Sequence, residues 1–473
     1  MDARAAVEMA QNWPFIYVDD DGPADFNNIQ AAIDTANDGD TVLVAPGEYL
    51  ITEPITFKVK AITVRSKAGP EATTIRMSES PSDPDRASVV IFENGEIETS
   101  VLEGFTMSGG TGCLWEYPPS PGDFFQAGGG IFCIDSSPKI TGCIITENRV
   151  KPLNSTQDIG GGVSLVNSSA TLIRCIILDN STFYWGGGIY IFNASPKLTD
   201  CIISENSVLH EDGQAGGLLT DGSNDSKPVI LNCTISTNSA FHSAGGIQIC
   251  NDSLPIFRDC IISDNISQGG NGGILCSYGS LTTLTNCLIA RNSCVRIGGG
   301  IGCGHNAEAI VTNCTITENT AGRHSGGVTS YDKSSITIKN CIVYGNTAPS
   351  GSEIGLDYSY YHTPTSMNIS YCNIKGGLSA AHIGQGTTLT WEEGNIDAEP
   401  LFADPENGDY HLKSQVGRWD PAGEIWIIDE LTSPCIDAGD PNSPVADEPE
   451  PNGGRINMGA YGGTIEASKS HSL

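Results

Sequence analysis

The sequence predicts an all-β solenoid, a stack of similar coils with a cap at each end. Three observations carry this reading. A cysteine recurs at positions 143, 175, 201, 233, 260, 287, 314, 341 and 372, with four successive steps of 27 residues from Cys233. An asparagine follows five residues after each of the first eight, at 148, 180, 206, 238, 265, 292, 319 and 346. A pair of glycines, from Gly129 with Gly130 through Gly326 with Gly327, precedes a short aliphatic run in each repeat. A fixed period with extra length confined to one place means stacked units with loops inserted at one corner.

Residues 1–50 read as an entry segment and cap. In "FNNIQAAIDTANDGDTVLVAPGEY" (Phe26 to Tyr49), Ile29, Ala32 and Ile33 fall on one helical stripe, after which Val42 and Val44 alternate as in a strand. An open solenoid end exposes unpaired strand edges, so a capping helix is expected there. Residues 51–376 are the coils. In "GGGIYIFNASPKLTDCIISENS" (Gly186 to Ser207), Ile189 and Ile191 point inward while Tyr190 and Phe192 point outward; "NASP" turns the chain and two more strands follow. Three strands per turn predict a triangular prism. Phe105 holds the place of the ladder cysteine in an early coil. Residues 377–473, rich in Pro, Asp and Gly, form an irregular, β-rich C-terminal cap in which 446–454 reads as a loop.

The repeated residues have structural readings first. A buried asparagine at a sharp turn must be hydrogen-bonded, and stacked amides on successive coils satisfy one another. Glycines repeated in every coil are corner residues, since a phosphate loop needs its glycines once, ahead of a helix. Nine of the sixteen cysteines share one phase and none has CxxC spacing, so they read as stacked buried thiols, with a few bridges such as Cys372 with Cys435 left open.

With 56 acidic against 24 basic side chains the net charge is −32, which repels nucleic-acid backbones and anionic lipid. No apolar run of about 18 residues is present, and the N-terminal residues lack the order of a signal peptide. The chain reads as a soluble monomer. Its solvent face suits neutral glycans, or acidic ones where basic side chains or Ca2+ locally invert the sign. No metal site is assigned, although the carboxylates preceding the ladder asparagines (Glu147, Asp179, Glu205, Asp264 and Glu318) offer a row that is either solvated or bridged by Ca2+.

The coils, together with "IYVDDDGPADFNNIQAAIDTANDGDTVLVAPGEY" at the N-terminus and "SPCIDAGD" followed by "GGRINMGAYGG" near the C-terminus, resemble the right-handed parallel β-helix proteins of the pectin-lyase-like superfamily. The resemblance implies a right-handed helix, extracellular or cell-surface residence in bacteria, and often polysaccharide cleavage. It carries over no catalytic residue: neither a paired-Asp hydrolase motif nor a Lys and Arg lyase signature is present.

Candidate chemistry therefore rests on the variable corner, three residues before each glycine pair: Gln126, Asp158, Tyr184, Gly213, His242, Gly269, Arg296 and Arg323. Arg323, His324, Arg296, His242 and Tyr184 suit the cation, base and acid of a β-elimination on a uronate. Trp115, Tyr117, Trp185 and Phe241 suit stacking on pyranose rings, with Asp158 and Asp212 binding hydroxyls. Hydrolysis would instead need two carboxyl groups, for which Asp158, Glu211 and Asp212 are available. Each has a plainer reading as a turn residue or as packing for the loop from Thr111 to Ala127, which is also the first choice to cover the outward apolar strip of Phe132, Ile134, Val166, Tyr190, Phe192 and Leu219. The expected function is polysaccharide cleavage, lyase ahead of hydrolase; the alternative is a cell-surface adhesin or glycan-binding module without catalysis.

Overall fold

The computed structural model describes residues 15–118, 120–152, 157–222, 226–357 and 364–471; the N-terminal residues 1–14 read above lie outside them. The chain divides into two compact units, the first ending at Leu219 apart from a short segment through Val229, the second carrying the remainder. Both are stacks of parallel strands.

One coil of the first unit shows the path. A strand at Thr171–Ile173 lies in sheet A and one at Ile176–Leu178 in sheet B. A two-residue strand follows at Ser181–Thr182, and Ile189–Phe192 lies in sheet C. The fourth, very short strand is absent from the three-sided prism expected from sequence. It arises because Asp179 (φ 48°) bends the chain just before the ladder asparagine, splitting one side in two. Arg174 (φ 50°) and Asn193 (φ 47°) make the other corners.

The capping helix spans Ile29–Thr35, is N-capped by the Asn28 side chain, and buries Ile29, Ala32 and Ile33. Register confirms Phe105 as the forerunner of the cysteine ladder, because Thr106 pairs with Ile144 and so places Phe105 opposite Cys143. All sixteen cysteines are buried free thiols, and Cys435 takes a hydrogen bond from Asn373 rather than a bridge to Cys372.

The asparagine ladder runs within each unit. Asn148 Nδ2 donates to Asn180 Oδ1 at 2.9 Å, and Asn180 Nδ2 to Asn206 Oδ1 at 3.0 Å. In the second unit, Asn238, Asn265, Asn292, Asn319 and Asn346 are linked in the same way at 2.9–3.0 Å. Each amide also reaches a backbone carbonyl of the preceding coil, as Asn265 does to Ile235 at 2.9 Å.

The paired glycines have a different cause from the positive φ that glycine content suggests. Their φ values are ordinary; the left-handed residue is the one before them, Gly160 in one coil and Ala244, Asn271 or Ser325 in others. A Cβ on Gly161 would lie 2.3 Å from Gly187 O, and one on Gly300 would lie 2.7 Å from Gly327 O. Close stacking of this corner excludes a side chain.

Beyond Gly376 two more strands, His382–Ile383 and Thr387–Trp391, join sheets C and A. The C-terminal segment then folds two antiparallel hairpins and packs on sheet B of the second unit, placing Tyr410 and Ala460 against Leu288 and Ala290, and Leu412, Cys435 and Met458 against Ile342. No helix among the described residues is long and apolar enough to cross a membrane.

Candidate functional site

In the first unit the insertion forms a hairpin, Gly112–Glu116 with Phe124–Ala127, pairing Trp115 with Phe125. Its aromatics turn onto sheet C: Trp115 and Tyr117 approach Phe192 at 5.5 and 5.3 Å, and Phe125 meets Trp185 at 5.5 Å. This covers the apolar strip at Phe192; Phe132, Val166, Tyr190, Phe192 and Leu219 are buried, and Ile134 is half-buried. Trp115 is only 7% exposed and offers no open ring face, whereas Tyr117 and Trp185 remain half-buried.

Asp158 is 0% exposed. Its carboxylate accepts the backbone N–H groups of Phe183 (2.7 Å) and Tyr184 (2.8 Å), and burial pushes its pKa up to about 7. It anchors the loop that carries Tyr184, whereas Glu211 and Asp212 are exposed. Tyr184 packs against His210 at 4.5 Å with the rings tilted by 35°, and the Asp212 backbone N–H donates to His210 Nδ1.

The remaining candidates meet in the second unit. Backbone bonds run Gly270 N–H to His242 O, Arg296 N–H to Gly269 O and Arg323 N–H to Arg296 O, so His242, Arg296 and Arg323 stand in one row with the exposed Phe241 beside it. The two arginines lie on adjacent coils, about 5 Å apart at the backbone. Among the described residues neither guanidinium forms an ion pair, whereas Arg149, Arg291 and Arg418 do. Two like charges carried on adjacent coils without a partner carboxylate favour an anion that both can reach.

His324 is held from both sides. Its Nε2 is 3.2 Å from Asp357 Oδ2 and its Nδ1 is 3.2 Å from Ser325 Oγ. The pairing holds the Asp357 carboxyl below the usual range. A carboxylate on Nε2–H leaves Nδ1 as the basic nitrogen. The ring also stacks on His382 at 4.9 Å, and His382 Nδ1 lies 3.2 Å from Ser350 Oγ.

Beside this row the outer face of sheet C is stripped to small residues. Gly302, Thr329 and Gly355 occupy successive outward positions. Asn271 lies across Gly302 and the Tyr331 ring across Gly304. The buried Thr329 hydroxyl has no hydrogen-bond partner among the described residues. Asp357, His382, Ser350, Asn271 and Tyr331 were not candidates from sequence. Asp357 and His382 lie outside the repeated phrase, and only the glycines replacing larger outward residues signal the depression.

Three of the five carboxylates in the row before the asparagines, Asp179, Asp264 and Glu318, are matched by protein groups. Arg149 pairs with Asp179, Arg291 forks onto Asp264 at 2.8 and 2.9 Å, and Tyr410 bridges Arg291 to Glu318 at 2.8 Å on each side. The one group of three metal-competent side chains within reach of one another, among the described residues, is Asp19, Asp20 and Asp21.

Residues 85–239 and 129–322, together about half of the chain, match the model of the right-handed β-helix region, and residues 229–439 match a model described as disaggregatase related. No curated protein sequence matches. Among solved structures, a pectate lyase is similar over 94% of this chain and 95% of its own at 15% identity and a TM-score of 0.46. An α-1,3-glucanase of Streptomyces thermodiastaticus is similar over 82% and 71% at 15% identity and a TM-score of 0.32. A family 28 exopolygalacturonase of Yersinia enterocolitica is similar over 82% and 79% at 12% identity and a TM-score of 0.34.

Proposed function

This chain belongs to the right-handed β-helix family, and from that premise we propose that it is a secreted, polysaccharide-active protein that cleaves an acidic glycan by β-elimination along the rim of its second unit. The observation that carries the reading is the unpaired Arg296 and Arg323 pair beside a histidine fixed by Asp357. The arginines would hold a uronate carboxylate and stabilise the charge that develops on it. His324 would take the proton α to that carboxylate; the C4–O bond then breaks, a C4–C5 double bond forms, and the leaving oxygen takes a proton from water. His242 stands three coils from Arg323, about 14 Å at the backbone, and serves in this reading as a glycan contact further along the row. Tyr184, Tyr117, Trp185 and Asp212 serve in this reading as a separate set of glycan contacts within the first unit. Hydrolysis is less well supported, because Asp158, one of its sequence candidates, is buried around backbone amides.

The second reading, glycan binding without cleavage, draws on the depression itself, whose floor is already occupied by Asn271 and Tyr331. The test incubates the purified chain with neutral and uronic-acid polysaccharides, with and without Ca2+, following ultraviolet absorbance of unsaturated products and new reducing ends. Absorbance with ends is expected, and should be lost in Arg323→Ala and His324→Ala. Ends alone would indicate a hydrolase, and binding without products the adhesin.

A further inference from the structure

A second feature of the second unit lies at the turn that follows sheet C, away from the arginine row. The first residue of each such turn is left-handed: Asp135, Asn167 and Asn193 in the first unit, and Asn251, Tyr278, His305 and Asp332 in the second, all with φ between 47° and 55°, the second-unit turns adding a left-handed second residue (Asp252, Gly279, Asn306 and Lys333). Asparagine and aspartate tolerate this conformation and histidine does so moderately, but a bulky tyrosine does not. Tyr278 therefore holds a conformation that asparagine or aspartate takes more easily, and what sets it apart from the neighbouring turns is the ring it presents.

The side chain is displayed and braced. Tyr278 is 55% exposed. Its ring stacks on His305 at 4.9 Å and 14°, His305 Nδ1 is fixed 3.1 Å from Asp332 Oδ2, and Tyr331 meets the imidazole edge-on at 5.6 Å. Backbone bonds from Asp252 to Tyr278 and from Gly279 to His305 set these residues on consecutive coils. On the side of the preceding coil the turn carries Asn251, whose short amide is drawn away to Asp221 at 2.7 Å. One face of the phenol ring is covered by a braced imidazole, and among the described residues the other has no ring upon it.

We propose that Tyr278 is the platform of a saccharide-binding subsite that takes an uncharged pyranose. A rigid, single-faced aromatic surface suits the C–H face of a sugar, whereas an organic cation would call for several converging rings. The flanking Asp252 and Asp332 carboxylates accept hydroxyl groups and repel a uronate, so this subsite differs in chemistry from the arginine row. It does not depend on the rim being catalytic.

The test uses the full chain and neutral hexasaccharides of the cello, malto and xylo series, with a galacturonate hexamer as the acidic control, followed by calorimetry and saturation-transfer NMR. The wild type should bind at least one neutral series. Tyr278→Asn, which restores a residue suited to the left-handed turn, should weaken that binding at least about tenfold while the unfolding midpoint stays level or rises. Tyr278→Phe should retain binding, and Arg323→Ala should leave it unchanged while affecting only the acidic ligand. Absence of any neutral binding by the wild type, or unaltered binding by Tyr278→Asn, overturns the subsite; loss of acidic-glycan cleavage alone does not touch it.

Discussion

Glu353 ends the asparagine ladder by standing in for the next amide beyond Asn346. Its Oε2 accepts Asn346 Nδ2 at 2.6 Å and the Asn346 backbone N–H at 3.3 Å, while Oε1 accepts Gly345 N–H at 2.9 Å. The position corresponds to the second glycine of the pair, since Val328 N–H bonds Glu353 O as Ile301 N–H bonds Gly327 O. In earlier coils a Cβ there would crowd the next asparagine, as at Gly300, where it would sit 3.1 Å from Asn319 Nδ2. The ladder has no further amide at Glu353, so a side chain fits and supplies the missing acceptor.

A pH dependence follows. Glu353 is 4% exposed, and burial raises its carboxyl from 4.5 to about 7 despite the three donors. A carboxyl raised in the folded state binds its proton more tightly there than in the unfolded chain. Its stabilising contribution is present below about pH 4.5 and is lost as pH rises through 7. Comparison of wild type with Glu353→Gln by calorimetry from pH 4 to 8 should show a steeper loss of stability in the wild type, by on the order of 2–3 kcal/mol, with the residual slope of the variant owed to other raised carboxyls such as Asp158 and Glu448. Equal slopes would mean the carboxyl titrates normally.

The ladder itself is the stronger stabiliser. Asn265 donates to Ile235 O and Asn292 Oδ1, and accepts from the backbone and side chain of Asn238. Asn265→Ala strands these partners in the core, and a loss of about 3 kcal/mol in denaturant unfolding is expected. An unchanged midpoint would refute the ladder's role.

Glycine replacements should separate the two causes of glycine content. A Cβ on Gly300 meets backbone oxygen at 2.7 Å, whereas the nearest atom to one on Gly270 is Ile297 O at 3.7 Å, with φ unexceptional. Gly300→Ala should cost several kcal/mol, on the order of 3, or prevent folding, because a backbone carbonyl cannot step aside without unstacking a coil. Gly270→Ala should be neutral, or stabilise by about 0.5 kcal/mol through the unfolded chain. Thermal unfolding of the pair reads both effects.

The stacked residues were legible in the sequence because every coil meets the same requirement and answers it with the same residue. The helix stripe of Ile29, Ala32 and Ile33 and the apolar strip covered by Trp115 and Tyr117 were legible for a related reason, since burial leaves a periodic trace. The His324 partners were not. Asp357 and His382 reach it only through stacking of coils whose spacing has already lost its cadence, and no local pattern ties them together. Asp158 looked like a rim carboxylate by position, yet its side chain turns inward to two loop amides, an orientation that spacing does not encode.

The docking of the C-terminal segment does leave a trace, in the residue before each ladder cysteine. That left-handed corner is Gly142, Arg174 and Asp200 in the first unit and Asn232 and Asp259 in the next two coils, and it is asparagine in each of three coils that receive the segment, at Asn286, Asn313 and Asn340. Asn286 Nδ2 donates to Ala460 O at 3.0 Å and Gly462 O at 2.6 Å, Asn313 Nδ2 donates to Gly462 O, and Asn340 Oδ1 accepts Asp440 N–H at 2.7 Å. Asn286→Asp keeps the shape and the turn preference but sets a carboxylate against two carbonyl oxygens. The expected cost is about 3 kcal/mol, borne by the segment rather than by the coils, since the ladder bonds of Asn292 and Asn319 are untouched. Limited proteolysis should then cut within residues 400–470 at a protease concentration that leaves the wild type intact, while the coil fragment persists. Uniform digestion of the whole chain would show instead that segment and coils unfold as one cooperative unit.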